Sequence, residues 1–221
     1  LSQADTGARR ACGKLRPFDR RPKSVMWSEI SNIGDAALTL PIALTCAAWF
    51  ALTDWRLAVR WGVLLAAGMG LVGATKILYA GCGIELPQFD FRVISGHTML
   101  STSVWTVALS MLWQAFRPGK APGIAAGLAV GAVTAVARVF DHSHTVPEVI
   151  VGWMLGALVA LVFLRGYDSA RQRAFSPRVA AACLLLVSGI AYGHRAPFQQ
   201  MIDTHSPQLC AFVRAPSGDG F

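Results

Sequence analysis

Residues 148–164 read EVIVGWMLGALVALVFL, a run whose only charged side chain is the glutamate at its start. Its length meets the roughly 17 to 25 mostly apolar residues that a membrane-spanning helix needs. Backbone N–H and C=O groups in hydrocarbon must be bonded internally, and the run lacks the two-residue alternation of a barrel strand, so it is predicted to be a transmembrane helix. Five further runs share this character: residues 36–53, 61–79, 95–116, 122–137 and 179–193. The predicted fold class is all-α, a polytopic transmembrane bundle of about six helices.

The composition favours a membrane protein over a soluble one. Of the 221 residues, 54% are apolar and only 14% are charged, and the mean hydropathy is +0.47. Soluble domains are roughly a quarter charged. The formal net charge is +8, but seven of the twenty Lys and Arg lie in the first 23 residues. An anionic lipid surface is therefore the expected partner of this charge, and no nucleic acid is expected.

Three regions of the chain differ in composition. Residues 1–34 are basic and are predicted to be loosely ordered or interfacial, residues 35–193 form the transmembrane domain, and residues 194–221 form a polar tail. Residues 1–23 lack the uninterrupted apolar core of a signal peptide, so no targeting segment is predicted there. Glycines that recur at helical spacing are predicted to let helices pack closely: Gly68, Gly70, Gly73, Gly123, Gly127 and Gly131.

The five cysteines follow no zinc-ligand or thioredoxin spacing, and no metal or cofactor is predicted from them. Cys46 and Cys183 lie inside apolar runs, where a thiol behaves as a small core side chain. Cys12, Cys82 and Cys210 fall on one predicted membrane face, where two of them could form a disulfide.

The connection before the third apolar run carries the first chemical signal, residues 91–97 (FRVISGH). Ser95 is a natural N-cap of the helix that follows. The amides of the helix start, the close approach allowed by Gly96 and the helix dipole together make an anion site, and His97 would stand beside the anion. The alternative is that Ser95 only caps the helix and His97 faces water.

A second polar cluster, residues 138–148 (RVFDHSHTVPE), lies between two other apolar runs. Because consecutive spanning helices alternate in direction, residues 95–97 and 138–148 must share one membrane face. Lys76, near the end of run 61–79, and Arg92 reach that same face. Ionisable groups at membrane depth are costly and mark functional sites. The alternative for Lys76 and Arg138 is that they reach out to lipid headgroups.

These clusters resemble the signature motifs of the type 2 phosphatidic acid phosphatase (PAP2) superfamily over roughly residues 61–164. Residues 95–97 (SGH) resemble the second motif of that family. Arg138, followed by His144 and then Glu148, resembles the third motif, and Lys76 resembles the opening residue of the first. The specificity of this resemblance lies in the combination, since two motifs occur in the right order on one face.

The chain departs from the family pattern in three places. The family has an arginine followed by proline seven residues after the lysine, whereas this chain has Gly83 there and Pro87 later. Ala137 stands where the family usually has a serine before Arg138, and Glu148 replaces the usual aspartate. The first motif is therefore degenerate, the second is intact and the third is conservatively altered.

The resemblance implies metal-free hydrolysis of a phosphoester through a phosphohistidine, with no cofactor. His144 would be the nucleophile, Glu148 would orient it, and His97 would protonate the leaving oxygen as general acid. Cations and backbone amides would hold the phosphate oxygens. These groups belong to Lys76, Arg138, Ser95 and Gly96, with Arg92 as a substitute for the missing arginine of the first motif.

Other interpretations remain open at the level of sequence. His142 is a rival nucleophile two residues before His144, although the spacings from Arg138 and to Glu148 favour His144. His194 and His205 have no such neighbours and are expected to be solvated.

Two other classes of function also fit part of the pattern. Paired histidines near a membrane face could bind haem, but haem would give no role to Lys76 or Arg138. A non-catalytic relative that binds or transports a phosphorylated lipid is suggested by Gly83, which stands where the family has an arginine.

The expected substrate is a phosphorylated lipid, such as phosphatidic acid, phosphatidylglycerol phosphate, a polyprenyl diphosphate or a lipid A phosphate. With six crossings, both tails and both polar clusters share one side. Basic residues in the short loops place the opposite side in the cytoplasm: Arg56, Arg60, Arg117, Lys120, Arg165, Arg171, Arg173 and Arg178. The protein is therefore expected in a bacterial inner membrane with its site facing the periplasm or exterior, although the basic residues 1–34 argue against that orientation.

Overall fold

The computed structural model describes residues 27, 30–82, 88, 90–167, 182–183 and 185–189. Every regular element in this part of the chain is helical, which confirms the all-α fold class. A 3-10 turn at Asn32–Gly34 precedes five α-helices: α1 (Ala36–Thr53), α2 (Trp55–Cys82), α3 (Gly96–Phe116), α4 (Ala121–Phe140) and α5 (Val146–Arg165). Residues 182–183 and 185–189 are also helical and lie inside the run 179–193 that was predicted as a helix.

Capping side chains set the starts of three helices. Asp35 accepts a hydrogen bond from the amide of Ala37 at 2.8 Å before α1, and Asp54 accepts one from the amide of Arg56 at 2.9 Å before α2. A capping box of Thr145 and Glu148 begins α5. The helix predicted over residues 61–79 begins earlier than expected, because the Asp54 cap starts α2 at Trp55, six residues before that run.

Four helices are long and apolar enough to cross a membrane: Ala36–Thr53, Trp55–Gly81, Ala121–Phe140 and Val146–Arg165. The fifth, α3, is equally long but more polar, and it packs against each of the other four. Its Ser and Thr side chains are buried inside the bundle, where they find acceptors such as the carbonyl of Thr98, bonded by the Thr102 hydroxyl at 2.7 Å. The neighbouring helices therefore shield α3 from lipid, and of its buried hydroxyls only that of Thr106 has no hydrogen-bond partner among the described residues.

Glycines of α4 allow close packing against α3. A Cβ at Gly127 would collide with the backbone of Thr106, and one at Gly123 or Gly131 would meet Ser110 or Thr102. The packing interpretation is thus confirmed for this row. In α2 the packing interpretation holds for Gly68, where a Cβ would lie 3.2 Å from the Val159 side chain, but not for Gly70 or Gly73, where no described atom lies within 4 Å.

The two ends of the bundle have different chemistry. At one end, Arg60 donates to the carbonyl of Val162 and Lys120 donates to that of Leu164, both at 2.7 Å, so two cations satisfy the last carbonyls of α5. The opposite end gathers the starts of α1, α3 and α5 and the ends of α2 and α4. The described residues that the sequence predicts for the phosphate site all lie at that opposite end.

Candidate active site

The side chains of His144 and Glu148 are in direct contact at the start of α5. Nδ1 of His144 lies 2.7 Å from Oε2 of Glu148, and the two side chains are 9% and 1% exposed. A carboxylate can only accept a hydrogen bond, so Nδ1 carries the proton and the lone pair of the neutral ring is on Nε2. The contact that their four-residue spacing predicted is present, and it orients the ring for attack through Nε2.

Backbone amides hold Glu148 in place. Its Oε1 accepts from the amides of Arg92 and Val93 at 3.0 and 3.2 Å, and its Oε2 accepts from the amide of Thr145 at 3.2 Å. The amide of Ser95 donates to the Glu148 carbonyl at 3.2 Å. Glu148 therefore ties the connection before α3 to the start of α5, and the two polar clusters of the sequence form one site.

The turn between α4 and α5 separates the two candidate nucleophiles. His142 adopts a left-handed backbone conformation with φ of 53° and is exposed. The amides of Ser143 and His144 both donate back to the carbonyl of Arg138, at 3.1 and 3.3 Å. This tight turn favours His144 over His142 as the nucleophile, because only His144 contacts the buried carboxylate.

His97, in the first turn of α3, faces a carboxylate of its own. Its Nε2 lies 3.4 Å from Oδ2 of Asp35, the residue that caps α1. The His97 side chain is 31% exposed, so the ring borders the mouth of the site and is open to a ligand.

Two cations act on both histidines. Arg138 is largely buried and donates through Nη1 to the Ser31 hydroxyl at 3.0 Å. Its Nε has no hydrogen-bond partner among the described residues, which leaves a buried donor for an incoming acceptor. Lys76, half-buried near the end of α2, and Arg138 both exert their charge on His97 and His144. Two positive charges therefore act on the two rings, beside the carboxylates of Glu148 and Asp35, and they are available to attract an anion.

Ser95 holds the N-cap position of α3, as predicted, but its side chain does not cap the helix. Its hydroxyl lies 3.0 Å from Oγ1 of Thr98, and both residues are fully buried. The expected side-chain cap is wrong because the buried Thr98 hydroxyl needs a partner of its own. At Gly96 a Cβ would lie 3.3 Å from the Val72 side chain, so glycine allows α3 to approach α2. The backbone amides in the first turn of a helix have no acceptor within that helix. Those of α3 can therefore donate hydrogen bonds to an anion.

Arg92 lies against Glu148. Its Nε is 3.6 Å from Oε1 of Glu148, and its side chain is 33% exposed. Burial lowers the pKa of Arg92, but the carboxylate of Glu148, with Tyr79 and Asp90, outweighs that effect and raises it. The guanidinium therefore stays charged beside the carboxylate that orients His144. Its predicted contact with phosphate stays a prediction.

The protonation state of His144 suits a nucleophile. Burial lowers the pKa of His144, the hydrogen bond to Glu148 raises it, and the charges of Arg138 and Lys76 lower it again. The net direction is downward, so the ring is neutral near pH 7 and its Nε2 lone pair is free to attack phosphorus. No group of three His, Cys, Asp or Glu side chains that could hold a metal occurs in the described part of the chain.

Sequence reasoning missed two residues of this site, Ser31 and Asp35. Asp35 directly precedes the run 36–53, so the N-cap rule could have found its helix cap, but nothing local indicated that it faces His97. Other residues of the sequence analysis lie outside the described part: Gly83, Pro87, His194, His205, Cys12, Cys210 and the side chain of Cys82.

Similarity to known proteins agrees with this geometry. A protein-family model described as PAP2 superfamily matches residues 77–172. The chain is also 30% identical to a Klebsiella pneumoniae protein described as "Uncharacterized 22.5 kDa protein in cps region", over 80% of the chain and 88% of that relative. The chain belongs to the PAP2 superfamily. No solved structure matches it.

The PAP2 match covers part of the site described above. It includes His97, Arg138 and the His144–Glu148 pair, and it begins one residue after Lys76. Asp35 precedes the matched segment altogether, although its carboxylate lies next to His97. The PAP2 core of this protein is therefore completed by a residue from the chain before it.

Proposed function

We propose that this PAP2 protein is an integral membrane phosphatase that hydrolyses a lipid phosphate or diphosphate through a phosphohistidine, with side-chain cations rather than a metal at the phosphate. The observation that carries the proposal is the contact of 2.7 Å between His144 and Glu148, in a site where Lys76 and Arg138 act on the ring. A buried carboxylate behind a neutral imidazole is the arrangement that activates a histidine nucleophile.

In the first step, Nε2 of His144 attacks phosphorus and the bond from phosphorus to the leaving oxygen breaks. His97 donates a proton to that oxygen, a role typically worth about 10² to 10⁴ in rate. Glu148 stabilises the positive charge that develops on the His144 ring. The products of this step are the lipid alcohol, or the lipid monophosphate from a diphosphate, and a phosphohistidine.

In the second step, water attacks the phosphohistidine and the P–N bond breaks. His97, now neutral, accepts a proton from this water, and inorganic phosphate leaves. In both steps the charge on the equatorial oxygens is stabilised by Lys76, Arg138 and the first-turn amides of α3. Stabilisation of this kind is the main task of a phosphoryl-transfer site.

An apolar groove beside the site supports a lipid substrate. It lies between α4 and α5, has a volume of about 390 Å³ and is lined only by apolar side chains: Ala132, Ala135, Val136, Val139, Phe140, Val146, Val149, Ile150 and Trp153. Phe140 and Val146 flank the turn that carries His144. A hydrocarbon chain in this groove would continue from a phosphate held at the histidines.

The proposed orientation places the active site at the periplasmic or outer face of a bacterial inner membrane. Arg60, Arg117, Lys120 and Arg165 lie at the end of the bundle opposite the histidines. Basic residues in short loops favour the cytoplasmic side, so the site end would face outward.

The test is phosphate release by the purified full chain in detergent, with a chelator present. The substrates are phosphatidic acid, phosphatidylglycerol phosphate, a polyprenyl diphosphate and a lipid A phosphate, each with His144→Ala as the matched control. We expect release from at least one lipid by the parent protein and none by His144→Ala. If the parent releases phosphate from none of them, yet retains radiolabelled lipid, the protein is a binder or transporter. A visible absorbance band in the purified protein would instead favour a haem protein.

A further inference from the structure

Asp35 lies between a helix start and a catalytic candidate. Its Oδ1 accepts a hydrogen bond from the amide of Ala37 at 2.8 Å, and its Oδ2 lies 3.4 Å from Nε2 of His97. One carboxylate oxygen is thus anchored by the first turn of α1 while the other faces the imidazole. The orientation of the carboxylate is set by backbone and does not depend on a flexible side chain.

The chain around Asp35 is packed against the site helices. A Cβ at Gly34 would lie 2.6 Å from the carbonyl oxygen of His97, so the two backbones touch there. The indole of Trp105 donates to the carbonyl of Ile33 at 3.2 Å, which adds a second link to α3. Arg138 of α4 donates to the hydroxyl of Ser31. These contacts hold Asp35 at a defined distance from His97.

The charges that face His97 compete with one another. Burial disfavours a proton on the ring, Asp35 favours it, and the positive charges of Arg138 from α4 and Lys76 from α2 disfavour it again, so the net effect lowers the pKa of His97. An acid that must protonate a leaving group has to keep its proton among these cations. Asp35 is the carboxylate positioned to oppose burial and the cations, and without it the ring would hold a proton still less readily.

We propose that Asp35 is a positioning residue for the general acid, and the proposal rests on the function proposed above for His97. With Nε2–H donated to Asp35, the proton on Nδ1 is the one transferred to the leaving oxygen. Once it has gone, the ring is neutral with its remaining proton still on Nε2. The Nδ1 lone pair is then ready to accept a proton from the attacking water. Asp35 thus selects the same tautomer for both steps, as a carboxylate does behind many catalytic histidines.

The test uses Asp35→Asn, which removes the charge but keeps a side chain that caps helices as well as Asp. We expect kcat for a lipid phosphate to fall by about 10- to 100-fold, with KM little changed. The rate with an aryl phosphate, whose leaving oxygen needs little protonation, should fall far less. The alkaline limb of the pH profile should move to lower pH by about one unit, the size typical of a lost carboxylate neighbour.

Asp54→Asn is the matched control, because Asp54 caps α2 through the same kind of bond at the other end of the bundle. We expect this variant to keep the parental activity and pH profile. An equal loss on lipid and aryl phosphates in Asp35→Asn, with an unmoved alkaline limb, would show a merely structural role and overturn the proposal.

A second readout does not depend on turnover. The NMR signal of the His97 ring is identified as the histidine signal that is missing in His97→Gln. It is then followed as a function of pH in isotopically labelled protein in detergent. Its titration midpoint should lie at lower pH in Asp35→Asn than in the parent. An unchanged midpoint contradicts the Asp35 proposal even in a protein that hydrolyses nothing. A shifted midpoint without any turnover shows that Asp35 acts on the His97 proton, but it rejects the phosphatase and with it the general-acid role.

Discussion

At the scale of single residues, the two histidines of the site are distinguished by what they contact. His144 contacts the buried Glu148 at 2.7 Å. His97 is partly exposed at the mouth of the site and faces the carboxylate of Asp35. In the proposed mechanism these different contacts hold the first ring for attack and the second for proton transfer. His142, exposed in a left-handed turn, has neither arrangement.

The first prediction separates these histidines. His144→Ala should abolish turnover because it removes the nucleophile, while His97→Ala should impair lipid substrates and spare an aryl phosphate. Rapid quench with ³²P-labelled substrate should trap an acid-labile, base-stable phosphoenzyme in the parent and in His97→Ala. Labelling that persists without His144 and disappears in His142→Ala would assign the nucleophile to His142 instead.

The second prediction concerns Arg92, the proposed substitute for the first-motif arginine. Arg92→Ala should lower kcat/KM by roughly tenfold to a hundredfold, as expected for a desolvated charged contact of about 1.5 to 3 kcal/mol. If Arg92 contacts the phosphate, its removal should raise KM. If Arg92 instead acts through Glu148, whose Oε1 lies 3.6 Å from the Arg92 Nε, its removal should lower kcat. An effect below twofold would show that Lys76 and Arg138 bind the phosphate alone.

The third prediction follows from the environment of His144. Burial lowers the pKa of this ring, so the neutral nucleophile persists to a lower pH than an ordinary histidine allows. The acid limb of kcat/KM should therefore lie below about pH 6.5, the unperturbed histidine value. Glu148→Gln removes a group that raises the pKa, so the limb should move further down while kcat falls. A limb above pH 7 would contradict this account of the ring.

At the scale of helices, the position of the site depends on how closely α3 and α4 pack. Gly127 faces the backbone of Thr106 without room for a side chain, and Gly123 and Gly131 repeat that contact one turn away on either side. The row fixes the rotation of α4 against α3. It thereby fixes the direction in which Arg138, at the end of α4, projects toward His97.

The fourth prediction tests this packing. Gly127→Ala forces a methyl group against the α3 backbone and should destabilise the protein by about 1 to 3 kcal/mol, the usual range for overpacking. The measurement is the Tm of the purified protein in detergent. Gly70→Ala is the control, because no described atom lies within 4 Å of the added Cβ, and it should leave Tm nearly unchanged. Equal Tm values for the two variants would contradict close packing at Gly127.

At the scale of the whole molecule, the bundle has a polar catalytic end and a basic end. Arg60 and Lys120 bond the last carbonyls of α5 at the basic end, while Lys76 and Arg138 act on the histidines at the other. Cations therefore serve two different purposes in one small domain. At the basic end they bond the last carbonyls of a helix, and at the histidine end they would bind the phosphate of the proposed substrate.

The fifth prediction concerns the chemistry of the complete site. Activity should survive EDTA, because side-chain cations stabilise the phosphate, and vanadate should inhibit it as a mimic of five-coordinate phosphorus. Initial rates of phosphate release from the best lipid substrate, with and without each reagent, provide the measurement. A requirement for added Mg²⁺ would sink the phosphohistidine mechanism.

The sequence by itself determined the helices and the end of the bundle that carries the chemistry. The length of an apolar run is a local property of the sequence, so runs such as 148–164 predict helices without knowledge of the tertiary structure. Alternating direction then brings residues 95–97 and 138–148 to one face. The contact of His144 with Glu148 is also local, because His144 directly precedes the N-cap of α5 and Glu148 lies in its first turn.

Only the tertiary structure decided which side chains complete the site. Asp35 meets His97, and Ser31 meets Arg138, across separations of 62 and 107 residues along the chain. The Ser95 hydroxyl bonds with the Thr98 hydroxyl, and α3, the most polar helix, lies at the buried centre of the bundle. Each of these outcomes depends on the rotation and closeness of packed helices. Hydropathy and spacing do not encode that geometry, because it is set by contacts such as those of Gly34 and Gly127 with backbone from another helix.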